Sequence, residues 1–75
     1  MADHTLDTQG LNCPLPVLKA KKALGKVPAS GTLKVLATDP GAVKDFAAFC
    51  RQTGNELLES TEESGVYSFL IKHTA

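Results

Sequence analysis

Cys13 heads the run Cys13-Pro14-Leu15-Pro16, directly after Gly10-Leu11-Asn12 and directly before apolar residues at helical spacing. A thiol in that position sits where a helix is expected to begin. Unpaired backbone N–H groups and the positive end of the helix dipole favour an anion there. The thiolate is the nucleophile of cysteine chemistry, and such surroundings lower a thiol pKa from about 8.5 to roughly 3.5–7.5. A thiolate can attack sulfur or hold it as a persulfide. The prolines suit the placement. Pro14 at the first helical position gives up an N–H that has no helical partner, and Pro16 falls in the first turn. Both stiffen the turn, and Leu15 and Val17 keep the N–H groups available to the sulfur. A residue before proline is biased away from the α region, so Leu15 delays the regular helix by a residue or two.

The other chemistry-bearing residues are few. Cys50 lies on the apolar stripe of a second helical segment and reads as a core residue with an inert thiol, with a resolving cysteine for Cys13 as the alternative. His4 stands in the N-terminal tail and His73 at the end of the chain's last strand pattern, so neither is a sequence-adjacent base for Cys13. The spacing of His4, Cys13, Cys50 and His73 matches no zinc pattern, and no metal or other cofactor is expected. Lys19, Lys22 and Lys26 fall along one side of the first helical segment. They read either as a solvated face that complements the negative helix end or as a docking surface for acidic partners beside the thiol. For Cys13 itself, local chemistry leaves open a reactive role and the plainer one of a small buried hydrophobe.

These residues must be positioned by a short chain. Its 75 residues are expected to form a single domain, 1–75, with a modest core. Eight basic and eight acidic residues cancel, so no global field draws it to nucleic acid or a membrane surface. No segment reads as a signal peptide or a bilayer span, and two distant cysteines are too few for a disulfide scaffold. A reducing cytoplasm with free thiols is expected.

The apolar periodicity predicts strands over residues 5–8, 32–38, 57–62 and 66–73 and a helix over 14–24, extending to 26 at most. Val17, Ala20, Leu24 and Val27 form that helix's apolar stripe, widened by Leu18. Asp39 is expected to cap a second helix with Pro40 at its first position, Val43, Phe46, Ala47 and Cys50 on its buried face, and Gly54 at its end. Glu63-Ser64-Gly65 reads as a hairpin turn. Glu56, Glu59, Glu62 and Glu63 read as charges that blunt an exposed sheet edge. The order β-α-β-α-β-β predicts an α+β fold: a two-layer α/β sandwich with two helices on one face of a mixed four-stranded sheet.

The residues also resemble a known family. Asp3-His4-Thr5-Leu6-Asp7 through Gly10-Leu11, then Cys13-Pro14-Leu15-Pro16, is similar to the start of the TusA (SirA-like) sulfur carriers. Asp39-Pro40, Asp45, Phe49-Cys50 and Glu56-Leu57 are similar to their second half. The resemblance covers nearly the whole chain. It implies the same sandwich, with Cys13 as the residue that accepts sulfane sulfur as a persulfide and Pro14 and Pro16 as the residues that shape its turn. It implies a sulfurtransferase-like carrier rather than a stand-alone turnover enzyme, in tRNA thiolation or sulfur-compound metabolism. Its partners would be a sulfur donor such as a cysteine desulfurase or rhodanese, and an acceptor protein. A transient carrier of this kind is expected to be monomeric when free, with no direct nucleic-acid or membrane contact. The chain departs from TusA proper at two neighbours of the thiol. Asn12 stands in place of an arginine and Leu15 in place of a glutamate, so Cys13 is less activated by charge. These departures weigh on the tRNA branch rather than on sulfur carriage. Two other classes stay open: a thiol redox protein using Cys13 and Cys50, and a small RNA-binding module.

Overall fold

The structure, a computed structural model, describes residues 4–12 and 15–74. Strand β1 (His4–Asp7) leads into helix α1 (Leu15–Leu24), then strand β2 (Thr32–Ala37), helix α2 (Ala42–Thr53) and strands β3 (Glu56–Glu63) and β4 (Val66–Lys72). The sheet order is β1-β2-β4-β3. β1 pairs with β2 in parallel, and β4 pairs antiparallel with both β2 and β3. This is the expected mixed sheet. The expected strand limits hold to within a residue or two. His4, assigned to a tail, instead opens β1 opposite Leu33.

The alternation of β2 creates the core. Leu33, Val35 and Ala37 are all buried and lie opposite Ile71, Phe69 and Tyr67 of β4. Alternate residues share a face, so this apolar face receives both helices. α1 contributes Ala20 and Leu24, with Val27 just beyond it, and α2 contributes Ala42, Phe46, Phe49 and Cys50. Phe46 stacks on Phe69 with ring centroids 4.6 Å apart, and meets Phe49 edge-on at 6.5 Å.

Both helices differ from expectation in which residues face inward. On α1, Pro16 is buried and Leu18 is 54 % exposed, so Leu18 does not widen the core stripe. On α2, Val43 and Ala47 are exposed, and Ala42 and Phe49 take their place. The sheet meets α2 one residue further round than the Val43-Phe46-Ala47-Cys50 reading, and the large Phe49 ring claims the buried position. Asp39 is not the helix cap. Gly41 occupies that position with no side-chain bond. Asp39 acts two residues earlier, where its carboxylate accepts the Gly41 N–H at 3.0 Å and its carbonyl accepts the Ala42 N–H at 2.9 Å.

The stop signals behave as read. Gly54 closes α2 in the left-handed conformation (φ 81°), with its N–H bonded to the Cys50 carbonyl. The β3–β4 hairpin turns on two residues of positive φ, Ser64 (53°) and Gly65 (84°). Such a turn matches the right-handed twist of the flanking strands. β3 is an edge strand, and its glutamates are exposed. A register shift between Leu57 and Glu59 adds a bulge to that edge. Bulge and charge together discourage pairing with another chain. Among the described residues, no helix is long and apolar enough to cross a membrane.

Candidate functional site

The loop between β1 and α1 carries Cys13. Cys13 and Pro14 lie outside the described residues, so the site is built from what flanks them. On the strand side, Thr8 is fully buried. Its backbone N–H and its hydroxyl both donate to the Leu36 carbonyl, at 2.7 and 2.6 Å. Gly10, at φ 85°, donates its N–H to the Thr38 hydroxyl at 2.9 Å. The Leu11 N–H returns to the Thr8 carbonyl. Thr8 and Gly10 are thus tied to the C-terminal end of β2, and Leu11 is tied to Thr8. On the helix side, Leu15 donates its N–H to the Asn12 carbonyl at 2.8 Å, so that N–H is taken up by the loop and not left for the sulfur as the sequence suggests. The strand side is therefore held on the end of the sheet, and the Leu15–Asn12 bond joins the two flanks of Cys13-Pro14.

Two carboxylates stand at that end, Asp7 and Asp39, each accepting a backbone N–H, from Gln9 and Gly41. α1 has no acidic residue in its first turn, and Lys21 and Lys22 occupy its last. Because β1 and β2 are parallel and each is followed by a helix, α1 and α2 start at the same end of the sheet. Apolar side chains are exposed on the helices there: Leu15 is 45 % exposed and Leu18 54 %, with Val43 exposed on the first turn of α2. Sequence reasoning missed Thr8, Thr38 and Leu18 as contributors. A threonine at a strand end, with a hydroxyl able to compete for backbone groups, was the available signal.

The remaining predicted residues separate from this end. Cys50 is 4 % exposed among Phe46, Phe49 and the sheet, and burial pushes its thiol pKa up. It lies in the last turn of α2, roughly 12 Å of helix from Ala42. Both histidines sit at the opposite end of the sheet. The backbone of His73 exchanges bonds with Ser30 and Gly31, and its Nδ1–H donates to the Val27 carbonyl at 2.7 Å. β2 separates the two ends by roughly 17 Å, so neither histidine is placed to serve as a base for the loop. Among the described residues, no cluster of three potential metal ligands occurs. Lys19, Lys22 and Lys26 do converge. They line a groove of about 300 Å³ between α1 and β1, above Leu6, Ala23 and Leu33.

The fold and the loop define a class: two-layer sandwiches that carry a cysteine between a first strand and a first helix. The family model described as sulfurtransferase TusA matches residues 4–73. The chain belongs to that family. It is 61 % identical over 70 residues to the sulfur carrier protein TusA of Allochromatium vinosum, covering 93 % of this chain and 92 % of that one. It is 47 % identical to the TusA sulfur carrier of Pseudomonas entomophila, covering 97 % and 91 %. The crystal structure of the SirA-like protein from Desulfitobacterium hafniense superposes with a TM-score of 0.82 at 27 % identity, covering 96 % of this chain and 99 % of that one. The resemblance read from the Cys-Pro-x-Pro run is borne out, as is the fold.

Proposed function

We propose that this chain, acting as one domain in the cytoplasm, carries sulfane sulfur as a persulfide on Cys13 between a donor and an acceptor protein. The observation that carries the reading is the loop itself. Hydrogen bonds donated by the N–H groups of Thr8, Gly10, Leu11 and Leu15 hold the residues that flank Cys13 in sequence, and α1 begins at Leu15, two residues on from the thiol in sequence. A helix start favours the thiolate and, between transfers, the persulfide anion.

In loading, the Cys13 thiolate attacks the outer sulfur of a donor persulfide. The donor S–S bond breaks, its electron pair leaves on the donor thiolate, and a new S–S bond forms on Cys13. In unloading, an acceptor thiolate repeats the step on the Cys13 persulfide. No net oxidation occurs in either step, and no histidine base is needed if the thiol is already ionised. Pro14 and Pro16 restrict the turn, and Leu15, Leu18 and the lysine-lined side of α1 make the docking surface. The TusA relatives from Allochromatium vinosum and Pseudomonas entomophila are sulfur carriers. The chemistry requires a donor that bears a persulfide, such as a cysteine desulfurase or rhodanese.

The test is onward transfer. Protein loaded with radiolabelled sulfane sulfur is mixed with a small-molecule thiol acceptor, and label is followed in Cys13→Ser and Cys50→Ser variants. Carriage requires that Cys50→Ser load and release label as wild type does. Loading of Cys13→Ser would refute the assignment.

The redox reading, with Cys50 resolving Cys13, is not favoured by the burial of Cys50.

A further inference from the structure

β1 is an edge strand: it pairs with β2 on one side only. Its open edge borders the groove whose other wall is α1. His4 and Thr5 of the strand line that groove together with three lysines, and among the described residues no carboxylate does. The one acidic residue of β1, Asp7, has its carboxylate bonded to the Gln9 N–H at 2.9 Å. Among the described residues, an edge strand thus runs beside a row of cations over an apolar floor.

We propose that this groove takes an extended acidic segment of a partner protein, added as a fifth strand on β1. In such an addition the main chain supplies the pairing and alternate side chains supply the specificity. Side chains of an added strand alternate between the two faces of the sheet. Every second residue therefore meets Lys19, Lys22 and Lys26, and those positions should be Glu or Asp. The dimensions agree. Lys19 to Lys26 spans roughly 10 Å along the helix direction, and three alternate strand residues span roughly 13 Å. A second copy of this chain does not fit. Its acidic edge is β3, but Glu56, Glu59 and Glu63 pair with Lys72, Leu70 and Val66. Val66, Leu70 and Lys72 alternate along β4 with Tyr67, Phe69 and Ile71 of the core face, so these glutamates share the face away from the helices. Only Glu62, opposite Tyr67, would meet the lysines.

The proposal rests on the carrier reading only for the existence of a partner. Binding needs no persulfide, and loading is read separately by mass. Loading without peptide binding would remove this inference alone, and peptide binding without loading would remove the carrier reading alone.

The experiment is a titration of the reduced, ¹⁵N-labelled protein with the capped peptide Thr-Glu-Val-Glu-Val-Glu-Thr at low salt, read by amide shifts and hydrogen exchange. Saturable shifts should centre on residues 4–7 and 19–26, with slowed exchange in β1. Reversing two charges (Lys19→Glu with Lys22→Glu) should weaken binding about tenfold, the scale of two exposed ion pairs. The isomer with contiguous glutamates, Thr-Glu-Glu-Glu-Val-Val-Thr, should bind more weakly than the alternating peptide. Equal binding of both isomers, competition by a simple dicarboxylate at the same concentration, or shifts without protection of β1 would each overturn strand addition. So would the absence of binding.

Discussion

Thr8 and Leu36 share one carbonyl: the Thr8 N–H and hydroxyl both donate to the Leu36 oxygen, at 2.7 and 2.6 Å. This double bond of contacts sets the point at which the chain leaves β1 for the loop that carries Cys13. Thr8→Val keeps the shape and the backbone bond but deletes the hydroxyl bond. It should destabilise the fold by about 1 kcal/mol, measured by urea denaturation. It should also slow sulfur loading beyond what that loss of folded protein explains. An unchanged loading rate would detach the loop anchor from function.

Cys50 should behave as core. Its thiol is held above its ordinary pKa of 9.0 by burial, so native alkylation at neutral pH should be slow at Cys50. The raised folded pKa means that the native state keeps a proton which the unfolded chain releases. This contribution is present below about pH 9 and is lost as pH rises through the folded value. Wild type should therefore lose stability above that pH more steeply than Cys50→Ala, in denaturation curves taken across the alkaline range. Parallel curves would show that the thiol does not contribute.

Leu15 and Leu18 should matter to transfer and not to folding. Both are about half exposed, and surface substitutions of this kind fall within roughly 0.5 kcal/mol in stability. Leu15→Ser and Leu18→Gln should leave the denaturation midpoint nearly unchanged while lowering the rate of sulfur transfer from a protein donor. Transfer from a small-molecule persulfide should be spared. Equal effects with both donors would mean that the leucines do not form a docking rim.

Phe46 holds the two layers together. It is fully buried and stacked on Phe69. Phe46→Ala should cost about 3–5 kcal/mol. A chain of this length has roughly 4–11 kcal/mol in total, so much of the variant should be unfolded, as read by circular dichroism at ambient temperature.

The outcome of the sequence reading follows a physical pattern. The strands were legible because alternation has a single meaning on a half-buried sheet: Leu33, Val35 and Ala37 are buried together. Gly54 and the Ser64-Gly65 turn were legible because positive φ narrows the choice of residue. The helix faces were less so. Leu18 and Val43 each satisfy a helical stripe, yet a short helix has apolar residues on more than one side, and the sheet decides which side is buried. The Cys-Pro-x-Pro run was legible as chemistry because thiol and prolines are adjacent in the chain. The bond from Gly10 to Thr38 and the groove between β1 and α1 were not, since each joins residues that are distant in sequence. The same reason hid the separation of His4 and His73 from the thiol's end of the sheet.

The central claim is that Cys13 carries the sulfur. Intact mass after incubation with a cysteine desulfurase and cysteine tests it most directly, with Cys13→Ser and Cys50→Ser alongside and thiosulfate with a rhodanese as a second donor. The account predicts a gain of one reducible sulfur atom in wild type and Cys50→Ser and none in Cys13→Ser. A gain retained in Cys13→Ser, or no gain in wild type with either donor, would contradict it.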